Sequence, residues 1–148
     1  MKYLIVLIVA ISFLLGCKAD EFALLLPENE DKEKISLADS FVNDYFKSIN
    51  SSGSYDFRFD GTIEFSKSFT KDTQMETYSR LMDEIGNFQS VEYLETWVPI
   101  TERTMDIIRF KGKFSKIKKD VEIRVVIDNK NKIAGFWVKP WKDNLNQY

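Results

Sequence analysis

Three tryptophans, Trp97, Trp137 and Trp141, are the side chains of this sequence best built to grip another molecule, since each joins a broad apolar face to a hydrogen-bonding edge. With Phe110 and Phe136 they fall on or beside segments of strand character, where they can line an apolar pocket or a partner-binding face, or simply build the core. Strand alternation sets Phe136 and Val138 on one face and Trp137 on the other, so the tryptophan on the less covered side is the leading binding candidate. Downstream of Arg109, the residues Lys111, Lys113, Lys116, Lys118 and Lys119 occur without an intervening acid. Such a basic edge can meet anionic lipid or an acidic polymer, or act as a solvated face that protects the sheet from edge pairing.

Much other chemistry is excluded. The 148 residues contain no His and a single Cys, which removes Ser-His and Cys-His nucleophile pairs, imidazole metal sites, CxxC redox chemistry and any intrachain disulfide. Adjacent Asp83 and Glu84 on a helix point in different directions, and Glu28, Glu30 and Asp31 lack the spacing of a calcium loop. No catalytic pair, metal site or cofactor is therefore expected. The 21 Lys+Arg against 23 Asp+Glu, net −2, supply no global field for DNA or RNA. An apolar share of 44% beside 30% charged residues suits one domain with an ordinary core.

The remaining reactive atom is the sulfur of Cys17. Lys2 precedes a twelve-residue apolar run, Leu4 to Leu15, closed by Gly16-Cys17-Lys18. As a helix that run reaches about 18 Å, short of the roughly 30 Å hydrocarbon core, so it reads as a signal peptide over residues 1–16 and not as a permanent span. Its end, Leu14-Leu15-Gly16-Cys17, resembles the lipobox of bacterial lipoproteins, although Leu15 is a less usual residue at its position. That resemblance implies cleavage before Cys17, lipid on its thiol, and a location in the bacterial cell envelope facing the periplasm or exterior. Lys18 after the Cys, where an Asp would signal inner-membrane retention, points toward the outer membrane if there are two. The alternative is a cleaved secretory signal that leaves an idle thiol. Acyl chains add about 0.8 kcal/mol per buried CH₂, so two or more hold a protein stably at a membrane.

From Lys18 to Lys34, the acidic and basic residues around Pro27 read as a tether, coil-like with a reach of about 20–25 Å, and the apolar Phe22 to Leu26 cluster within it can pack on the domain or dip into the bilayer surface. A single domain over residues 35–148 follows. Ser36 is the expected cap of a first helix whose Leu37, Phe41, Tyr45 and Ile49 recur every four residues until Asn50 to Gly53 stop it. Residues 55–69 fit either a strand, with Tyr55, Phe57 and Phe59 alternating, or short helical turns. Asp72 or Thr73 caps the next helix, with Met75, Tyr78, Met82 and Ile85 lining one face before Gly86. The period then shifts to two. Strands are expected within 88–100, interrupted or ended by Pro99, around Ile108 to Phe114 with a bulge at Gly112, over Val121 to Ile127, and over Ile133 to Val138. Asp128 to Lys132 forms the last hairpin loop. The fold class is α+β, with N-terminal helices packed on a curved antiparallel sheet of about four strands, cone-like in shape.

This order, with Leu81-Met-Asp-Glu-Ile-Gly86 ending a helix and Lys132-Ile-Ala-Gly-Phe-Trp-Val-Lys-Pro140 as the last strand, resembles small exported domains of the nuclear transport factor two-like, or cystatin-like, superfamily. The similarity covers roughly residues 36–141. It implies a bent sheet wrapped around a helix to form a cone-shaped pocket that different members leave open for ligands, use for catalysis, or fill. Family enzymes pair a carboxylate base with a tyrosine or acid that stabilises an oxyanion, and the resemblance makes Tyr93 and Asp106 the residues available for those roles. The leading expectation is a membrane-anchored, non-enzymatic module that binds a peptide, an envelope protein or a small apolar ligand. The alternatives are a pocket enzyme of isomerase type and an immunity-type inhibitor of a toxin.

Overall fold

Asp31 lies extended just ahead of α1 (Lys32–Ser52), and its carboxylate accepts hydrogen bonds from the backbone N–H groups of Glu33 and Lys34. Those are donors that a helix start leaves free. The helix therefore begins ahead of Ser36, the cap expected from sequence, because an ionised carboxylate accepts more strongly than a hydroxyl and also suits the positive helix end. At its other end Gly53 takes φ 69° and returns its N–H to the Ile49 carbonyl at 2.8 Å, the stop that Asn50 to Gly53 announce.

Of the two readings left open for residues 55–69, the helical one holds for 63–68, while 55–62 is neither helix nor strand. Thr62 caps α2 (Ile63–Ser68), and Tyr55, Phe57 and Phe59 pack on the core without forming a strand. The cap of α3 (Lys71–Glu84) is Thr70, not Asp72 or Thr73: its hydroxyl oxygen accepts from the Thr73 N–H at 3.3 Å and lies 2.9 Å from the Thr73 hydroxyl. Within α3, Tyr78 and Ile85 do meet the core, but Met75 is 49% exposed and Gln74 is buried in its place.

The structure, a computed structural model, describes residues 21–147; the expected signal peptide over residues 1–16 and Cys17 lie outside the described residues. Five antiparallel strands follow one another in chain order across an open sheet: β1 (Phe22–Leu24), β2 (Phe88–Pro99), β3 (Met105–Phe114), β4 (Val121–Asp128) and β5 (Ile133–Pro140). The last four are the expected strands. β1 comes from the stretch read as tether, with Phe22 opposite Pro99 and Leu24 opposite Trp97. From residue 21 on, that stretch belongs to the fold, as β1, a single 3-10 turn at Pro27–Asn29 and the start of α1. A three-residue strand has no alternation to read, and its partner lies more than seventy positions away.

Gly112 is not a bulge. It pairs in register with Val91 and Val121, and the register shifts of β2 against β3 fall between Phe88 and Ser90 and between Tyr93 and Glu95. The glycine serves close packing: a Cβ there would lie 2.7 Å from Ile123 Cδ1 and 2.9 Å from a Phe114 ring carbon.

One face of the sheet packs on α1. Ile108, Phe110, Phe114, Ile123, Val125 and Ile127 meet Phe41, Val42, Tyr45, Phe46 and Ile49, all buried. Around Phe41 the rings of Phe57, Phe59, Phe65, Phe69 and Phe136 stand edge-on at 5.1–6.4 Å, and Phe46 stacks on Phe88 at 4.7 Å. Aromatic side chains thus fill the side that faces α1. A smaller cluster, Trp97, Ile107, Val126 and Leu145 with Phe22, covers part of the opposite face, where the chain after β5 folds back.

Candidate functional site

β5 ends the sheet, and on its open side, among the described residues, only its first residue is bridged: the Ile133 N–H donates to the Asp60 carbonyl and the Ile133 carbonyl accepts from the Thr62 N–H, both at 2.9 Å. Beyond that point α3 runs alongside the strand without closing on it. The helix has too thin an apolar stripe to do so, and Gln74 is its one buried residue. Its C-terminal end is fixed instead by Lys116, whose ammonium donates to the Met82 and Asp83 carbonyls at 3.0 and 3.1 Å and whose N–H donates to the Ile85 carbonyl. A cation at the negative end of a helix is favourable.

The gap holds two adjoining clefts. The larger, about 640 Å³, has Leu81, Ile85, Ile117, Val121, Val138, Pro140 and Trp141 among its walls, together with Lys113, Lys118, Lys119 and Lys139 and the acids Glu84 and Asp120. The smaller, about 300 Å³, is lined by Tyr45, Phe69, Thr73, Gln74, Thr77, Phe136 and Trp137, and shares Leu81 and Val138 with the larger. The larger volume lies within the range of small-ligand sites, and apolar walls with a few charged groups are their usual chemistry.

The three tryptophans part company. Trp97 is 7% exposed inside the smaller cluster and donates its indole N–H to Glu95 at 2.8 Å, so it is part of the packing. Trp141 is half-buried and covers two cations, with Arg109 Cζ 4.6 Å and Lys111 Nζ 4.7 Å from its ring centroid, while also lining the larger cleft. Trp137 is 44% exposed and leans over Gly135, where no side chain stands in its way. The structure brings Trp137 and Trp141 to adjoining clefts and leaves Trp97 out.

Of the lysine run, Lys111 and Lys113 pair with Asp120, whose carboxyl is held below the usual range chiefly by the hydrogen bond from Lys113. Lys116 is spent on α3. Lys118 and Lys119 are exposed at the larger cleft and pair with no acid among the described residues. Beneath Trp141, Arg109 and Glu122 are fully buried as a two-pronged ion pair at 3.1 and 3.2 Å, extended by Glu95, Arg124 and the Lys142 carbonyl.

Tyr93 and Asp106 line neither cleft. The Tyr93 hydroxyl donates to Glu30 at 2.5 Å and lies 3.0 Å from the Thr96 hydroxyl; burial, then the bond to Glu30, push its ionisation above the ordinary phenol value. Asp106, 1% exposed, accepts from Lys34 Nζ at 3.1 Å and from Arg103 Nε and Nη2 at 3.0 and 2.6 Å. Burial works to raise its pKa, but those cations outweigh it and hold the carboxyl below the ordinary value. A general base needs the opposite shift.

Sequence reasoning missed Gln74. It is 5% exposed, its Nε2 donates to the Phe69 carbonyl at 3.0 Å, and its Oε1 has no hydrogen-bond partner among the described residues although the side chain lines the smaller cleft. A polar residue beside Met75 on a helix carries no signal of burial. Among the described residues, no group of three or more His, Cys, Asp or Glu side chains could hold a metal ion, and no helix is long and apolar enough to cross a membrane. No protein-family model, curated protein or solved structure matches this chain.

Proposed function

We propose that this chain is an extracytoplasmic lipoprotein of a bacterial cell envelope, anchored through Cys17, whose α+β domain of nuclear transport factor two-like or cystatin-like type is a non-enzymatic binding or adaptor module. One observation carries the reading: an accessible concavity runs along β5 and α3, walled by apolar residues, while the face of the sheet that packs on α1 is filled by Phe110, Phe114, Phe136 and the rings around Phe41. A pocket enzyme would need Tyr93 or Asp106 in an open cavity. Both are instead occupied by neighbours, and Asp106 is biased toward its ionised form.

With Cys17 as the anchor, the position of β1 bears on where the cleft would face. β1, whose first residue is five positions on from Cys17, lies at the pole of the sheet where β5 begins. Lys118, Lys119 and Pro140 belong to the other pole, about 26 Å away along β5. Anchored this way, the domain turns its basic cleft away from its own membrane and toward partners in the compartment.

Two measurements test the proposal. Metabolic labelling with a fatty-acid analogue should mark the wild-type chain and not Cys17→Ser, and wild type alone should enter the detergent phase. Anilinonaphthalene sulfonate, an apolar fluorescent anion, should bind the folded protein with enhanced emission that Leu81→Asp abolishes while circular dichroism is unchanged. An unlabelled, soluble wild type would end the anchoring half. Dye binding indifferent to Leu81→Asp would end the cleft half.

A further inference from the structure

We infer that β5 is an acceptor edge: an acidic, extended peptide segment of a partner protein adds as a sixth strand along Gly135 to Lys139, seats alternate side chains in the two clefts, and sets its carboxylates against Lys118 and Lys119. This deepens, and rests on, the binding-module reading.

Four observations meet at this edge. Phe136, Trp137, Val138 and Lys139 all line the clefts, although consecutive residues of a strand point to opposite faces. Neighbours of opposite facing share a groove when the groove runs along the strand's open edge. Among the described residues no strand pairs with that edge, and the bridge at Ile133 covers only its start. Open edges are normally blunted by proline, by charge or by a covering element, yet Gly135 to Val138 contains neither Pro nor a charged residue. With Lys139 this segment offers an open edge about 17 Å long, enough for five residues.

The clefts describe the occupant. Gln74 Oε1 is a buried acceptor lacking a donor at the lining of the smaller cleft, and a peptide supplies N–H groups where an acyl chain supplies none. At the larger cleft Lys118 and Lys119 pair with no acid among the described residues, Asp120 being taken up by Lys111 and Lys113, so a partner that brings carboxylates satisfies them.

The test uses the full-length protein in detergent and a fluorescein-labelled decapeptide alternating valine with aspartate and glutamate. Fluorescence anisotropy should show saturable binding, at least tenfold weaker for a twin with lysine at every acid and at least tenfold weaker for a twin N-methylated at alternate residues. Lys118→Glu combined with Lys119→Glu should reverse the acid-over-lysine preference. Hydrogen exchange should slow at amides within 135–139 when the acidic peptide is added. Equal binding of the lysine or N-methylated twin overturns the inference. No peptide binding while anilinonaphthalene sulfonate still binds overturns it and leaves the binding-module reading standing; loss of both removes both. A dimer in sedimentation velocity that protects the same amides without peptide also overturns it, in favour of a second copy.

Discussion

Replacing Asp106 by Asn keeps its shape and removes its charge, and the structure gives the cost. The carboxylate is buried and receives three N–H donors from two cations. Arg103, with 41% of its side chain exposed, can turn to water, but Lys34, at 9%, cannot do so without leaving the first turn of α1. Removing one partner of a buried pair costs about 3–5 kcal/mol, and the freedom of Arg103 places this case near about 3 kcal/mol. For a domain of this size that lowers Tm by about 9–15 °C. Urea unfolding followed by tryptophan fluorescence measures it directly. Lys34→Met should cost less in the Asp106→Asn background than in wild type, with a coupling of at least about 1 kcal/mol.

The pH dependence checks the sign. The folded carboxyl titrates below its ordinary value of 3.8, so its stabilisation is fully present above that value and is lost as pH falls through the lower folded value. Asp106→Asn has no such loss, so the stability gap between the two proteins should close as pH falls below about 4. A gap under about 1 kcal/mol at neutral pH would refute the buried, ionised carboxylate. A gap that shifts already between about pH 5 and 7 would mean a raised pKa, which is what acid–base chemistry at this position requires.

Three further outcomes follow from the packing. Gly112→Ala should lower stability by about 1–3 kcal/mol in urea unfolding, since its Cβ would press on Ile123 and Phe114 inside the core. Gly135→Ala should cost less than about 1 kcal/mol yet shift tryptophan emission, because the new Cβ would lie 2.2 Å from the outer ring carbons of the half-exposed Trp137, which must swing away. Lys116→Met should speed hydrogen exchange in the last turn of α3 with little change in global stability, as it removes the donor to the Met82 and Asp83 carbonyls.

The α+β class, the helix through Ile49 stopped by Gly53, the four long strands and the last hairpin were legible because each is written in local period and turn chemistry. Asp128 shows how local that chemistry is: its carboxylate accepts from the N–H groups of Lys130 and Lys132, both at 2.8 Å, and Asn131 takes φ 58°. Helix starts were less legible. Ser36 had the right residue type, but Asp31 has the stronger acceptor, and choosing between them requires knowing where the chain arrives from.

Sequence by itself determined the period of each segment, the absence of imidazole chemistry and a single thiol at the end of an apolar run. Tertiary structure decided which tryptophan is core and which is surface, that Phe22 to Leu24 joins the sheet, and that Asp106 is held by Lys34 from 72 positions away. It also decided that a cleft exists at all. Alternation states that Trp137 and Val138 face opposite ways, but only the failure of α3 to cover β5 lets both line one groove. The physical reason is range: backbone and capping preferences act over a few residues, whereas burial, ion pairing and strand edges depend on what distant parts of the chain bring alongside.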